Sequence, residues 1–333
     1  MLTHAIERFV SLVFPVTLNH SLNLANLCRG STLKMTIHSL KFKIAISAVL
    51  VVFSAGCVAQ NSSLTAAQRE ASVLAQLAAQ RPIEAGSSYW LEELTSLEIR
   101  DLISSGTTTV IIATGGVEEN GPYLATGKHN LILEGVCPAL AEKLGNALCA
   151  PLVRFVPEGN INPPTGAMRY PGTISLSAST YEALLTDISR SLKQSGFTDI
   201  VMIGDSGGNQ TGMANVAASL GASWGNSETR IHFIREFYDP GWVETEQFTE
   251  RELGVAESGN DGYHDDIWVT AMMMVTDPEQ VRFSQRVDAG LASINGVAIT
   301  PLEDAIALGK KMIEFRAQYT AQAIVKAITA STD

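Results

Sequence analysis

The chain has 333 residues, of which 46% are hydrophobic, 17% charged and 7% aromatic. This composition excludes a disordered chain, a collagen-like repeat and a disulfide-stapled miniprotein, and it suits one large domain or two ordinary ones. With 23 Lys+Arg against 34 Asp+Glu the formal charge is −11, and no basic patch offers a nucleic acid anything to bind.

Residues 1–56 read as a leader. Lys41 and Lys43 precede an apolar run over 44–53, and the small residues Ser54-Ala55-Gly56 lead to Cys57. That is a charged n-region, a short h-region and a cleavage site. The run is too short to span a bilayer comfortably. Ser-Ala-Gly-Cys is similar to a bacterial lipoprotein processing site, with Cys57 as the lipidated first residue. Cleavage after Ala59 and a start at Met35 stay open. The expected location is periplasmic or membrane-anchored, with membrane contact only through the lipid on Cys57. His4, His20 and His38 leave with the leader, so imidazole chemistry falls to His129, His232 and His264.

Residues 57–88 are polar and Ala/Gln-rich and read as a linker with a short surface helix. One domain over 89–333 follows. Its β-branched run over 107–114 is a buried strand ending in Gly115-Gly116. A helix is predicted over 131–144 and a strand over 147–156. Cys137 falls in the first and Cys149 near the start of the second. An exported chain can pair them, but they are read as two buried thiols. The Pro- and Gly-rich stretch 158–172 is loop. An amphipathic helix over 181–194 presents Leu184, Leu185, Ile188 and Leu192 on one face. A buried strand over 199–203, a helix over 213–220, a strand over 230–234 and helices over 265–274 and 301–329 complete the series. Alternating strands and helices imply an α/β fold with a largely parallel sheet.

In such sheets functional loops gather at the carboxyl ends of strands. Two of these ends carry acids on flexible backbone, Gly115-Gly116-Val117-Glu118-Glu119-Asn120-Gly121-Pro122 and Gly204-Asp205-Ser206-Gly207-Gly208-Asn209-Gln210. A third acidic segment, Asp261-Gly262-Tyr263-His264-Asp265-Asp266, opens a helix. Gly204-Asp205-Ser206-Gly207-Gly208 matches the pentapeptide around a chymotrypsin-like nucleophile. That chemistry needs a histidine base and a β-barrel, whereas this stretch joins a strand to a helix. Glu118, His129, Asp205, His264, Asp265 and Asp266 are donor types that Zn²⁺ and Mn²⁺ accept. A bound ion would turn water into a nucleophile for a carbonyl carbon.

At these residues the chain resembles the creatininase family of metal-dependent amidohydrolases, roughly from Trp90 to Arg286. The first glycine-rich segment, Thr126-Gly127-Lys128-His129-Asn130, Pro171-Gly172-Thr173-Ile174-Ser175-Leu176, Gly204–Asn209 and His264-Asp265-Asp266 carry the likeness in order. The resemblance implies a three-layer α/β/α sandwich, often assembled as a homo-oligomer, that hydrolyses a small-molecule amide, lactam or similar C–N bond with one or two Zn or Mn ions. It makes Glu118 a metal ligand. It also sets His129 where the family has a bridging aspartate, Asn120 and Ser206 where it has histidines, and Val269 where it has a glutamate. The expected ligands here are Glu118, His129 and Asp205, with Asp266 as a fourth. His264 is the expected proton donor to the leaving nitrogen. Ser206 should only donate a hydrogen bond, a ligand carboxylate being one acceptor, Glu119 should point elsewhere or hydrogen-bond behind the ligands, and His232 should be structural. Two rival readings are a serine hydrolase using Ser206 and a non-catalytic ligand-binding lipoprotein on the same fold.

Overall fold

The computed structural model describes residues 64–331. The leader, Cys57 and its processing site lie outside the described residues. Residues 76–333 form one compact unit. Of the unit over 1–75 the described part is Leu64, Thr65 and most of helix α1 (Ala66–Leu77), which is exposed along its length. Among the described residues no helix is long and apolar enough to cross a membrane.

The larger unit opens with α2 (Ser96–Ser104), capped by Thr95, whose Oγ1 accepts from Glu98 N–H while the Glu98 carboxylate accepts from Thr95 N–H. Strand β1 (Thr109–Thr114) follows, then α3 (Lys128–Leu144) and β2 (Ala147–Cys149). Helix α4 (Ala178–Ser195), β3 (Asp199–Gly204), α5 (Gln210–Trp224) and β4 (Arg230–Phe233) complete the sheet segment. The four strands are all parallel, in the order β2-β1-β3-β4. Helices α6 (Gly241–Arg251), α7 (Ile267–Thr276) and α8 (Phe283–Asp288) come next. A small antiparallel pair, β5 (Ser293–Ile294) and β6 (Val297–Ala298), precedes the long α9 (Leu302–Ala330).

Strands β1 and β3 are apolar along their length because both their faces are covered. Their side chains alternate between two cores. Ile111, Ala113, Val201 and Ile203 pack with α3, α7 and α9. Val110, Ile112, Ile200 and Met202 pack with Tyr181 and Leu185 of α4 and with Met213, Val216 and Leu220 of α5. This is the expected three-layer α/β/α arrangement.

Two expectations are corrected. The strand predicted over 147–156 pairs only through Cys149, because Pro151 has no N–H to give to a ladder. Ala150 N–H still donates to Ile111 O, and beyond Pro151 the chain meets β1 again at the Thr114–Val153 bridge, while Val156 bridges to Ser175 outside the sheet. The two cysteines are not free thiols. Helix α3 packs over β2, which brings the Cα atoms of Cys137 and Cys149 to 6.2 Å, and the sulfurs are bonded.

Candidate active site

Strands β1 and β3 end in register, Thr114 opposite Gly204, so Gly115 and Asp205 leave the sheet side by side. Asp205 N–H donates to the Thr114 carbonyl at 3.0 Å. The first glycine pair exists for close packing. A Cβ on Gly115 would lie 2.0 Å from Asn130 Oδ1, and one on Gly116 would lie 2.1 Å from Glu158 Oε1. Asn130, at the start of α3, clasps this turn by accepting from Gly116 N–H and donating to Gly116 O at 2.9 Å. Asn209, in the turn beyond β3, adds to the clasp by donating to the Thr114 and Gly115 carbonyls at 2.8 and 2.9 Å.

The first turn of α3 is buried and carries the centre of the site. His129 lies between two carboxylates. Its Nε2 is 2.7 Å from Glu118 Oε1 and its Nδ1 is 2.8 Å from Asp205 Oδ2. The other Asp205 oxygen accepts from Arg316 Nη1 at 2.9 Å and from Trp242 Nε1 at 3.3 Å. Arg316 is in turn fixed by donating to Phe237 O at 3.1 Å and by lying over the Phe237 ring. Lys128, 1% exposed, holds its ammonium 3.8 Å from Glu118, donates to the His264 carbonyl at 3.2 Å and faces the Trp242 ring.

These contacts set the protonation pattern. Burial alone would raise Glu118, but the His129 hydrogen bond and the charges of His129 and Lys128 bring it down to about 2. Burial is also outweighed at Asp205, where Arg316 and His129 hold the carboxyl well below the usual range. Burial and Lys128 work against a charged His129, yet its bonds to Asp205 and Glu118 prevail and raise it. Burial lowers Lys128 against the pull of Glu118 and Asp205.

Glu158 completes the cluster. Its segment is held by the Pro171–Leu176 stretch, in which Ile174 N–H donates to Val117 O and Leu176 N–H to Val156 O. Ser175 Oγ accepts from Glu158 N–H and donates to Gly159 O. One short extended segment therefore ties the Glu118 loop to the Glu158 loop. Ser206 Oγ donates to Glu158 Oε2 at 3.0 Å, and Glu158 Oε1 is buried with no other partner. Burial together with the neighbouring charge of Glu118 raises the Glu158 carboxyl to about 7.

Glu118, His129 and Asp205 meet in one cluster, and Ser206 donates to the Glu158 carboxylate. Asp205 is not in a ligand position. It stands behind His129, spent on Arg316 and on Nδ1, and serves to orient the imidazole. Asp266 stays out of the cluster: it opens α7, and it reaches Lys128 only through its charge. His264 is exposed and meets the site through its main-chain carbonyl. Asp265 is buried beside the charge of Arg286. Glu119 turns away to accept from Gly121 N–H, and His232 pairs with Asp199 inside the sheet. Glu158, Lys128, Arg316 and Trp242 were not among the expected site residues. The signal for Arg316 was present, since it occupies an inward position of α9 among Met312, Ile313, Ala317 and Thr320.

A divalent centre does not fit this donor set. Among the described residues no three of His, Cys, Asp and Glu converge as ligands. Two donors on one tetrahedral zinc lie about 3.3 Å apart, from bond lengths near 2.0–2.1 Å. The 2.7 Å between Glu118 and His129 is the length of a hydrogen bond.

Comparison with known proteins adds the following. A family model described as creatininase, creatinine amidohydrolase, matches residues 92–323. A creatinine amidohydrolase of Pseudomonas putida is 27% identical over 116 residues, 35% of this chain and 44% of that protein, so the chain matches less than half of that relative's length. A crystal structure of creatinine amidohydrolase (creatininase) shares 21% identity at a TM-score of 0.50, covering 74% of this chain and 98% of that one. A mutant creatininase of Zn-Zn type shares 22% at 0.51, covering 74% and 99%. At these identities the structural likeness is one of fold.

Proposed function

The chain belongs to the creatininase family, a family of metal-dependent amidohydrolases, and from that premise we propose that it hydrolyses an amide, lactam or related C–N bond of a small molecule at the Glu118–His129–Glu158 cluster. The observation that carries this is the carboxyl pair Glu118 and Glu158. Glu118 is part-buried, 2.7 Å from His129 Nε2 and 3.8 Å from the Lys128 ammonium, and Glu158 is buried against Ser206, with burial and the Glu118 charge raising it to about 7. In this scheme Glu158 takes a proton from water as the water oxygen bonds to the carbonyl carbon. The Lys128 ammonium faces the oxyanion so formed. The same carboxyl returns the proton to the nitrogen as the C–N bond breaks, leaving an acid and an amine. Zinc or manganese is not invoked, because the donor set does not fit either ion.

The test is release of amine or ammonia from a panel of small amides and lactams. Wild-type turnover is expected, with a fall of roughly 10²–10⁴-fold in Glu158→Gln, the usual size of a general acid–base contribution. Undiminished turnover in Glu158→Gln would overturn the scheme. One contact favours a second reading, because the Ser206 hydroxyl donates directly to Glu158. Glu158 would then serve as base to a serine nucleophile. Turnover that survives in Ser206→Ala assigns the attack to water, and turnover lost there assigns it to Ser206. A chain inert toward the whole panel would be the ligand-binding alternative.

We further propose that the protein is exported and anchored through Cys57. The Cys137–Cys149 disulfide supports export, since such bonds form and persist in oxidising compartments. Mass spectrometry of the mature N-terminus tests it, and an unprocessed cytoplasmic chain would refute it.

A further inference from the structure

The cluster contains three acids, Glu118, Glu158 and Asp205, and three bases, Lys128, His129 and Arg316, and all but Glu118 are at most 7% exposed. Each base already has acid or carbonyl partners. Arg316 is bonded to Asp205 and Phe237 O, His129 to Asp205 and Glu118, and Lys128 to His264 O beside Glu118. With these bases charged and the acids ionised, the cluster has no net negative charge left to attract a dication. A divalent ion at the Glu118–His129 edge would require His129 to lose its proton, because ligand nitrogens must be free of one. It would require the 2.7 Å contact to open, and it would stand close to the Lys128 ammonium in a buried setting where like charges repel strongly.

We infer that Lys128, His129 and Arg316 supply, as fixed side-chain cations, the positive charge that a divalent ion would bring, so that the site is complete without a metal. Lys128 is the member next to the ionised Glu118, and Arg316 neutralises Asp205 from behind. The inference rests on the geometry of this cluster and not on the proposed turnover. A chain inert toward amides but free of metal would sink the proposed function and leave this inference standing.

The experiment is elemental analysis of the full chain as it is expressed, purified without chelator from cells grown with zinc and manganese. It is paired with thermal unfolding in added ZnCl2 or MnCl2, on wild type and on Glu118→Gln. The expected result is far less than one ion per chain, with an unfolding midpoint that neither salt raises. An ion retained equally in Glu118→Gln lies elsewhere and agrees with the inference. A stoichiometric ion that survives dialysis in wild type and is lost in Glu118→Gln would overturn it. So would a midpoint raised by either salt in wild type and unmoved in the variant.

Discussion

Asp205 is fully buried, and its two oxygens are divided between Arg316 with Trp242 on one side and His129 on the other. Removing one partner of such a pair strands a charge away from water, which typically costs about 3–5 kcal/mol. Arg316→Met is therefore expected to lower stability by about that amount, seen as a lower urea midpoint at unchanged slope. Arg316→Lys should recover only part, because a single ammonium cannot span Asp205 and the Phe237 carbonyl as the guanidinium fork does. A loss below about 1 kcal/mol in Arg316→Met would mean that the pair contributes no more than a surface ion pair. The residues of this site differ in how far they could be read from sequence. Glu118, His129 and Asp205 sit at a strand end, a helix start and a second strand end, so their meeting follows from parallel topology alone. Arg316 is 111 residues from Asp205 and in no motif. Only its place on an apolar helix face marked it, and its partner could not be named before α9 was packed on the sheet.

Helix α3 carries Lys128 and His129 in its first turn, and its position depends on anchors further along. Cys137 fixes its third turn to β2, and Gly145 closes it in the left-handed conformation at φ 73°. By the loop-entropy model a disulfide closing a loop of this size contributes about 3 kcal/mol. Cys137→Ala with Cys149→Ala should lose about 2–4 kcal/mol in chemical denaturation. A double variant as stable as wild type would show that packing alone fixes α3. The same region shows where sequence stops being informative. The strands β1 and β3 were legible as unbroken apolar runs closed by glycine. The pairing of the cysteines was not, because it depends on a helix-to-strand distance that appears only when the layers close. Glu158 was hidden for a related reason. It sits in a Pro- and Gly-rich loop with no period of its own, and it is aimed by Ser175 from another segment. The Pro171–Leu176 motif is recognisable in sequence, but its role as the tie between two loops is a property of the folded backbone.

At the scale of the molecule, four acids in and around the site fall into two pairs with opposite effects of pH on stability. Glu118 and Asp205 are held below their ordinary values of 4.5 and 3.8. Their contribution is present above those values and is lost as pH falls through the folded ones. Glu158 and Asp265 are raised instead, to about 7 and about 6, the first by burial and Glu118, the second by burial and the Asp261 charge. At low pH both carry protons whether the chain is folded or not. As pH rises past the ordinary values the unfolded chain ionises, while the folded chain keeps its protons. Stability from this pair is therefore present below the ordinary values and lost as pH rises through about 6 to 7. The unfolding temperature is expected to peak near pH 5 and to fall by pH 8, values of about that size following from the linkage. The chain's overall negative charge also weakens the folded state as more acids ionise, and that effect is common to closely related variants. The informative quantity is the difference between wild type and Glu158→Gln, which keeps the shape of the side chain and removes its proton equilibrium. The variant should show a shallower decline between about pH 5 and 8, with the two curves parallel below about pH 4. Parallel curves throughout would mean that Glu158 is already ionised at neutral pH, and that it has no proton to exchange with a substrate.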